Sequence, residues 1–589
     1  MTLSRLLRLA AACLSALVLA ACGGGGGGGT EAPAGVVPAP PAAVEKPATR
    51  LEAARFLAQA TFGPVDADID RLMDIGYAAW IDEQLATPAP TGAHRAHWQA
   101  RDAELRAASA GSGAGQEQVF ESFWKQAVTA PDPLRQRMAW ALSQIFVISM
   151  VDGTVGDNPR AAAAWLDMLH EQGLGSYRTL IESISRHPMM GVYLSHLRNQ
   201  KADPRTGRVP DENYAREVMQ LFSIGLVELD EDGTPKAGAP ETYGPSDISG
   251  LARVFTGWSW SCPDWPDNSC FFNGSANGNA DPDRAFKPML GYPQYHALEA
   301  KSFLGTTIPA QALGDPSASL RVALDALAAH PNVGPFIGRQ LIQRFTTSNP
   351  SPAYVRAVTR SWADNGAGVR GDLKAVLKAV LMHPEARTAG TASGRLREPV
   401  LRLASYLRAF PHASDTGHFR VGNTDNAAAS LGQTPLRAPS VFGFYRPGYV
   451  APGTQSAARN LVAPELQLAS ETSAAGWVNF MRDNIASGVG ITNGTVAGVV
   501  RNRRDLQPDF SAELALAADP AALVERVTTR LTYGAAGAAL KTLITNAVAA
   551  IAIPTPTATN QAQVDAARRN RVNAAILLTV AAPEFQVLQ

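Results

Sequence analysis

The chain is expected to be all-α: a mainly helical, multi-helix globular domain with long irregular loops. Three observations predict this. Apolar residues recur at three- and four-residue spacing in segment after segment, whereas the strict alternation of a half-buried strand is found almost nowhere. Proline, glycine and asparagine stand at the segment ends, where they start or stop helices. Apolar residues make up 46% of the 589-residue chain and charged residues 18%, ordinary values for a protein with a core.

The first 50 residues stand apart from this pattern. Arg5 and Arg8 precede the apolar run Leu9 to Ala20, which is shorter than the ~20 residues a membrane-spanning helix needs. Residues 1–21 therefore read as a cleaved signal peptide. The closing Leu19-Ala20-Ala21-Cys22 resembles the bacterial lipoprotein box, in which the cysteine is alkylated by a diacylglycerol and becomes the acylated N-terminus. Cys22 is the expected lipidation site, and two or more acyl chains would make the anchor stable. Gly23 follows where an aspartate would signal retention in the inner membrane, so the expected address is the outer membrane of a Gram-negative cell envelope. Residues 22–50 then form a Gly-, Pro- and Ala-rich tether with a reach of roughly 30 Å.

From residue 51 onward the helical pattern takes over. Leu51 to Phe62 places Leu51, Ala54, Ala58 and Phe62 on one face, and Gly63-Pro64 stops it. Asp66 to Leu85 is a second helix, interrupted at Gly76. Gln116 to Ala130 follows, then Leu134 to Met150, entered through Pro131-Asp132-Pro133. Ala161 to His170, Tyr177 to Arg186, Leu320 to Ala329, Asn332 to Phe345, Tyr354 to Asn365, Leu373 to Met382 and Glu398 to Phe410 continue in the same style. The C-terminal part adds Ala463 to Arg482, Ala521 to Thr532, Ala538 to Ile551 and Gln561 to Thr579. Residues 51–589 are expected to form one helical domain, whose length allows two lobes divided near 305–320.

Lys plus Arg and Asp plus Glu are equal at 52 each. Zero net charge without a basic helix offers no footprint for nucleic acid. Cysteine usage agrees with export: Cys13 leaves with the signal and Cys22 carries lipid, so Cys262 and Cys270 are expected to pair as a disulfide. So short a loop contributes about 2.5 kcal/mol in the chain-entropy model. A metal site is the rival, but no second Cys or His pair lies nearby at ligand spacing.

Three stretches break the helical pattern: Lys201 to Pro210, Trp258 to Phe303, and His412 to Gly453. Long irregular loops on a helical scaffold commonly carry binding or catalysis. Beside the first lies Asp211-Glu212-Asn213-Tyr214-Ala215-Arg216-Glu217-Val218-Met219-Gln220-Leu221-Phe222. Asp211 is placed to cap its first turn, and Glu212 stands four residues before Arg216, the favourable orientation for a helical ion pair. Tyr214, Val218, Leu221 and Phe222 make an apolar stripe that leaves Asn213 and Glu217 on its flank. A partly buried Glu217 needs a partner, such as an Arg from another helix. It then belongs either to a structural ion-pair network or, with Glu212, to an acid/base or ligand site.

The next helix opens at Tyr243-Gly244-Pro245-Ser246-Asp247-Ile248 and ends at Thr256-Gly257-Trp258. The Asn-Tyr-Ala-Arg-Glu helix, the Tyr-then-Asp helix start and the terminal Thr-Gly-Trp together resemble a large bacterial family, domain of unknown function 1800. Further matches run along nearly the whole folded chain. They include Arg55-Phe56-Leu57, Lys301-Ser302-Phe303-Leu304-Gly305, Leu431-Gly432-Gln433, Pro439-Ser440-Val441 and the closing Ala582-Pro583-Glu584-Phe585-Gln586. Where many members carry Trp-His-Asn-His-Phe, this chain has Ala141-Leu142-Ser143-Gln144-Ile145-Phe146, without those histidines. The resemblance implies a mostly helical exported domain, often encoded beside a second exported, distantly sulfatase-like family, and no established reaction.

Direct motifs for chemistry are few. No Gly-x-Ser-x-Gly elbow, phosphate loop or dinucleotide fingerprint is present. His170-Glu171 begins like a zinc-protease helix, but Leu174 stands where the second histidine belongs. Ser122-Phe123-Trp124-Lys125 fits a Ser-x-x-Lys pattern without its supporting motifs. Asn273 to Gly278 alternates like a calcium loop, and an irregular calcium site would use Asp281 and Asp283; no other cofactor is implied. His187, His330 and His383 each precede a proline after a helix, where an imidazole meets free carbonyls. His296 differs by lying in the irregular stretch before Glu299 and Lys301. Tyr193, Trp258, Trp260, Trp265 and Tyr292 could form an aromatic platform for a sugar or could pack a loop without strands.

Two functions follow as expectations. The first is a lipid-anchored envelope protein that binds or assists an exported partner protein or a glycan, with Asn213, Tyr214, Arg216 and Trp258 as binding residues. The second is a hydrolase-like enzyme acting on an envelope ester or glycan, with Glu212, Glu217 and His296 as acid/base candidates.

Overall fold

Many helices of this chain begin with the same local device, a proline in the first turn behind a residue that serves its free amides. Helices Pro316–Ala329, Pro352–Ala363 and Pro520–Thr532 start this way, with Asp315, Ser351 and Asp519 accepting from the backbone N–H groups of Ala318, Tyr354 and Ala521. Proline fixes φ for the helix and lacks an N–H that would go unused there. His187, His330 and His383 follow helices as expected, but serve amides rather than carbonyls. Each Nδ1 accepts from the N–H two residues on: Met189 at 3.2 Å, Asn332 at 3.2 Å and Glu385 at 3.3 Å. Burial is the main reason all three rings have lowered pKa values, which keeps Nδ1 free to accept.

The structure is a computed structural model describing residues 44–388 and 394–588. The expected signal peptide, Cys22 and the tether as far as residue 43 lie outside the described residues. The described chain is mainly helical, about 51% helix in 26 helices, with 9% strand in several small sheets. All-α is therefore too narrow a description. Val44–Gln589 form one compact unit. The 305–320 stretch runs from the strand pair Lys301–Phe303 and Thr306–Ile308 into helix Pro316–Ala329, and both the strand Lys301–Phe303 and that helix pack against helix Pro245–Val254.

At the centre lies helix Pro133–Ser143, buried along its whole length. An all-buried helix should be apolar throughout, yet this one carries Arg135, Gln136 and Arg137, which donate to Thr87 O, Asp132 Oδ1 and Arg344 O while Arg135 Nε and two Arg137 nitrogens find no acceptor among the described residues. It ends at Ser143 rather than continuing to Met150, because the following segment bonds elsewhere. Ser149 Oγ donates to Ala438 O at 2.7 Å and Met150 N to Leu436 O at 2.7 Å, docking the His412–Gly453 stretch. The expected Ala463 to Arg482 helix is likewise divided into a 3₁₀ turn, Pro464–Leu468, and helix Glu471–Ser487, whose start Ser470 caps. Helix Ala93–Ala108 was not anticipated.

The longest strands, Val489–Val496 and Val499–Pro508, form an antiparallel hairpin that His412–Ser414 extends to a three-stranded sheet. Its two-residue turn, Ala497-Gly498, has positive φ at both positions, as tight hairpin turns require. Buried Asp505 binds the sheet to the loop beside it, accepting from Ser414 Oγ, Thr416 Oγ1 and Asn493 Nδ2. The irregular Trp258 to Phe303 stretch builds its own small core from Phe271, Ala276, Tyr292 and the disulfide Cys262–Cys270. Among the described residues no helix is long and apolar enough to cross a membrane.

Candidate functional site

The residues singled out in the sequence do not converge. Helix Asn213–Gln220 places Tyr214, Val218 and the following Phe222 in the core. Tyr214 is fully buried, with Oη 2.7 Å from Ser185 Oγ and its ring stacked 3.9 Å from that of His196. It fastens this helix to helix Tyr177–Arg186 and is not open to a ligand. Asn213 is exposed and donates from Nδ2 to Ser195 Oγ at 3.3 Å. The anticipated Glu212–Arg216 pair forms at 3.6 Å, but both side chains are nearly half exposed, where such pairs contribute little.

Glu217 is 8% exposed, and its Oε2 has no hydrogen-bond partner among the described residues. Burial raises its carboxyl pKa, and only neighbouring Arg216 opposes this. Among the described residues the expected arginine from another helix is not there, and no ion pair reaches Glu217.

His296 belongs to the core. It is fully buried, with Nδ1 donating to Thr256 O at 2.8 Å and Nε2 facing Ser319 Oγ at 2.9 Å. Burial lowers its pKa to about 4. Both ring nitrogens are used in holding the loop to helices, so it offers no base to solvent. Trp258 is also buried, in strand Trp258–Ser259, with the Arg186 guanidinium 5.6 Å from its ring. Tyr292 donates from Oη to Trp260 O at 2.7 Å, so these aromatics pack the loop; Trp265 alone is well exposed. The calcium reading meets cations already in place. Asp281 is held by Lys287 Nζ, 3.0 Å from both oxygens, and Asp283 by Arg160 at 2.8 Å. Among the described residues no group of three or more His, Cys, Asp or Glu side chains is placed to hold a metal ion.

A different place has the form of a site. A cleft of about 360 Å³ opens between helices Pro159–Gln172 and Tyr177–Arg186, and Phe286 and Pro288 of the disulfide-bearing loop close one side. Its polar lining includes Arg95, Asp167, Glu171, Glu182 and Arg186. The start of helix Ala93–Ala108 has no capping side chain of its own, and the cleft acids supply one. Asp167 accepts from the N–H groups of His94 at 2.7 Å and Arg95 at 3.0 Å, and Glu171 from that of Gly92 at 2.7 Å. Burial, helped by Glu171 and opposed by the two amides, raises the Asp167 pKa to about 6. Across the opening, the Arg95 and Arg160 guanidinium carbons lie 4.6 and 4.7 Å from the Phe286 ring centre. Glu182 pairs with Arg178 at 2.8 Å.

Behind the cleft lies a sealed polar network. His170 Nε2 is 2.7 Å from Asp132 Oδ2, both groups fully buried, and Ser122 Oγ is 2.8 Å from His94 Nδ1. Deeper still, Glu398 accepts from Trp140 Nε1 at 3.0 Å, Gln144 Nε2 at 2.9 Å and Gln433 Nε2 at 2.8 Å. Arg344 donates to Gln144 Oε1 at 2.9 Å. Thus Gln144 joins a buried acid to a buried base.

The Gln433, Gln144 and Glu398 knot, the Thr256–Gly257 turn locked on His296, and the Ala582 to Gln586 close all lie within one matched span. The family described as "Protein of unknown function (DUF1800)" matches residues 55–587. The chain belongs to the DUF1800 family. Compared with curated proteins and with solved structures, this DUF1800 member has no match in either. Its cleft residues Arg95, Asp167, Glu171 and Phe286 were not reached by sequence reasoning. The available signal was Asp167 and Glu171 one turn apart on a largely apolar, alanine-rich helix, where two acids have to be answered by something outside it.

Proposed function

We propose that this DUF1800 chain is a lipid-anchored envelope protein that binds a glycan in the cleft beside its disulfide-bearing loop. The observation that carries the binding reading is the engagement of the cleft acids. Both Asp167 oxygens and Glu171 Oε1 hold helix amides, which makes them walls rather than free acid/base groups. Arginines and carboxylates lining one open cleft suit a ligand rich in hydroxyls, each able to donate and accept. The Leu19 to Cys22 box supports the lipid anchor, and the Cys262–Cys270 disulfide is of the kind found in oxidising compartments.

The test is titration of the full-length protein with neutral and acidic oligosaccharides, beside Thr179→Trp, which fills the cleft from an exposed rim position. Saturable binding that Thr179→Trp removes is expected. No binding by any oligosaccharide, or binding that Thr179→Trp leaves unchanged, refutes the reading. Cys22→Ser should move the protein out of the membrane fraction.

A hydrolase-like enzyme is the second reading, favoured by one observation: Asp167 holds its proton up to about pH 6 in an open cleft. Loss of an ester- or glycan-cleaving activity in folded Asp167→Asn would support it.

A further inference from the structure

A second cleft, about 230 Å³, lies where the end of the chain crosses helices Pro399–Ala409 and Glu471–Ser487. Its walls are mostly apolar, including Leu396, Pro399, Leu466, Trp477 and Val478. Two charged side chains line it, Arg402 and Glu465, and neither is fully matched.

Arg402 lies over the Trp477 ring, 4.6 Å from its centre, and donates from Nη1 to the Gln586 side-chain oxygen. Its Nε has no acceptor, and no carboxylate lies within ion-pair distance among the described residues. Burial, with Arg397 adding repulsion, lowers its pKa to about 9, the sign of a cation without a counter-charge. Glu465 is 2% exposed and meets Arg395 only at 3.5 Å, and its Oε2 has no partner. Burial raises its carboxyl pKa, with Arg395 and Arg344 opposing. The molecule thus presents a partly buried guanidinium without a counter-charge at one end of a greasy cleft. Gln586 holds that guanidinium by one nitrogen, while Gln586 Nε2 donates to Val580 O at 2.6 Å. That gives the closing Ala582 to Gln586 segment a task that packing of Phe585 alone would not require.

We propose that this cleft binds a short aliphatic carboxylate, its carboxyl group on Arg402 and its hydrocarbon body along Leu396, Leu466 and Val478. A cleft of about 230 Å³ has room for a short aliphatic chain with its head group. Charge supplies the head-group choice and the apolar wall supplies the preference for a tail over acetate. Gln586 is a positioning residue here.

The experiment is saturation-transfer NMR and thermal-shift titration of the full-length protein with hexanoate, hexan-1-ol, hexylammonium and acetate. Hexanoate should bind with a Kd on the order of 1 mM or tighter and raise Tm, and the other three should bind at least about tenfold more weakly. Arg402→Gln should weaken hexanoate about tenfold or more. Because a partly buried arginine can also matter for folding, Ala474→Trp provides the second variant: it blocks the mouth from an exposed helix position and should abolish binding while leaving the far-UV spectrum intact. Equal binding of hexan-1-ol or hexylammonium, no saturable hexanoate signal at about tenfold higher concentration, or unchanged affinity in folded Ala474→Trp overturns the proposal. The glycan cleft is separate, so Thr179→Trp should leave hexanoate binding as it was.

Discussion

Acidification should unfold this protein in part through His296, and the contribution of that one ring is calculable. His296 is fully buried and neutral, with Nδ1 donating to Thr256 O and Nε2 accepting from the Ser319 hydroxyl. Lys301 and Lys201 oppose a positive charge there, Asp315 favours it weakly, and burial decides the outcome, a pKa of about 4 against the usual 6.5. Because the folded value is depressed, the stabilisation is complete above 6.5 and is lost as pH falls from 6.5 through 4. At 1.36 kcal/mol per unit, the unfolded chain gains about 2 kcal/mol over the native state by pH 5. Seven other imidazoles act in the same direction, among them His94 and His187 with pKa values of about 3 and His196 and His412 of about 4, so the wild-type slope alone does not isolate His296. Urea unfolding of wild type and His296→Gln at about pH 7 and about pH 5, followed by far-UV circular dichroism, does. The variant should start less stable and lose about 2 kcal/mol less between the two conditions. Equal losses in the two proteins would refute the assignment of His296 as a neutral core residue.

Glu217→Gln should leave the protein as stable or stabilise it by about 1 kcal/mol at pH 8, because it removes a buried charge that only neighbouring Arg216 offsets and whose Oε2 has no hydrogen-bond partner among the described residues. The raised folded pKa means that wild type loses this increment as pH rises above 4.5, so urea midpoints of the two proteins should converge in acid; clear destabilisation at pH 8 would point to a working carboxylate. Gly250→Ala should be severe, since its Cβ would lie 1.8 Å from Ser302 O, where helix Pro245–Val254 meets strand Lys301–Phe303. A loss of about 3 kcal/mol or more is expected, against less than about 0.5 for partly exposed Ser249→Ala, both read from thermal unfolding.

Helix Tyr177–Arg186 and helix Leu373–Met382 occupy the residues anticipated for them, because their apolar stripes and terminal breakers lie within one stretch of chain. The hairpin Val489–Pro508 escaped notice for a physical reason. Its tip and the first half of strand Val499–Pro508 are exposed, so they show no apolar alternation, and only the Ala497-Gly498 turn marked it. Similarly, helix Ala93–Ala108 takes its cap from Asp167 and Glu171, more than seventy residues away. Nothing local announces such a helix.

Local chemistry determined the helical class, most helix bounds, the Cys262–Cys270 pairing and the family, because each depends on residues near one another or on spacing along the chain. Tertiary structure alone decided which polar groups are usable. It buried His296 and Tyr214, left Glu217 without its arginine, and brought Arg95, Asp167 and Phe286 from three separate segments to one cleft. Desolvation and hydrogen-bond supply are properties of a place in space, and a side chain acquires them only when distant parts of the chain close around it.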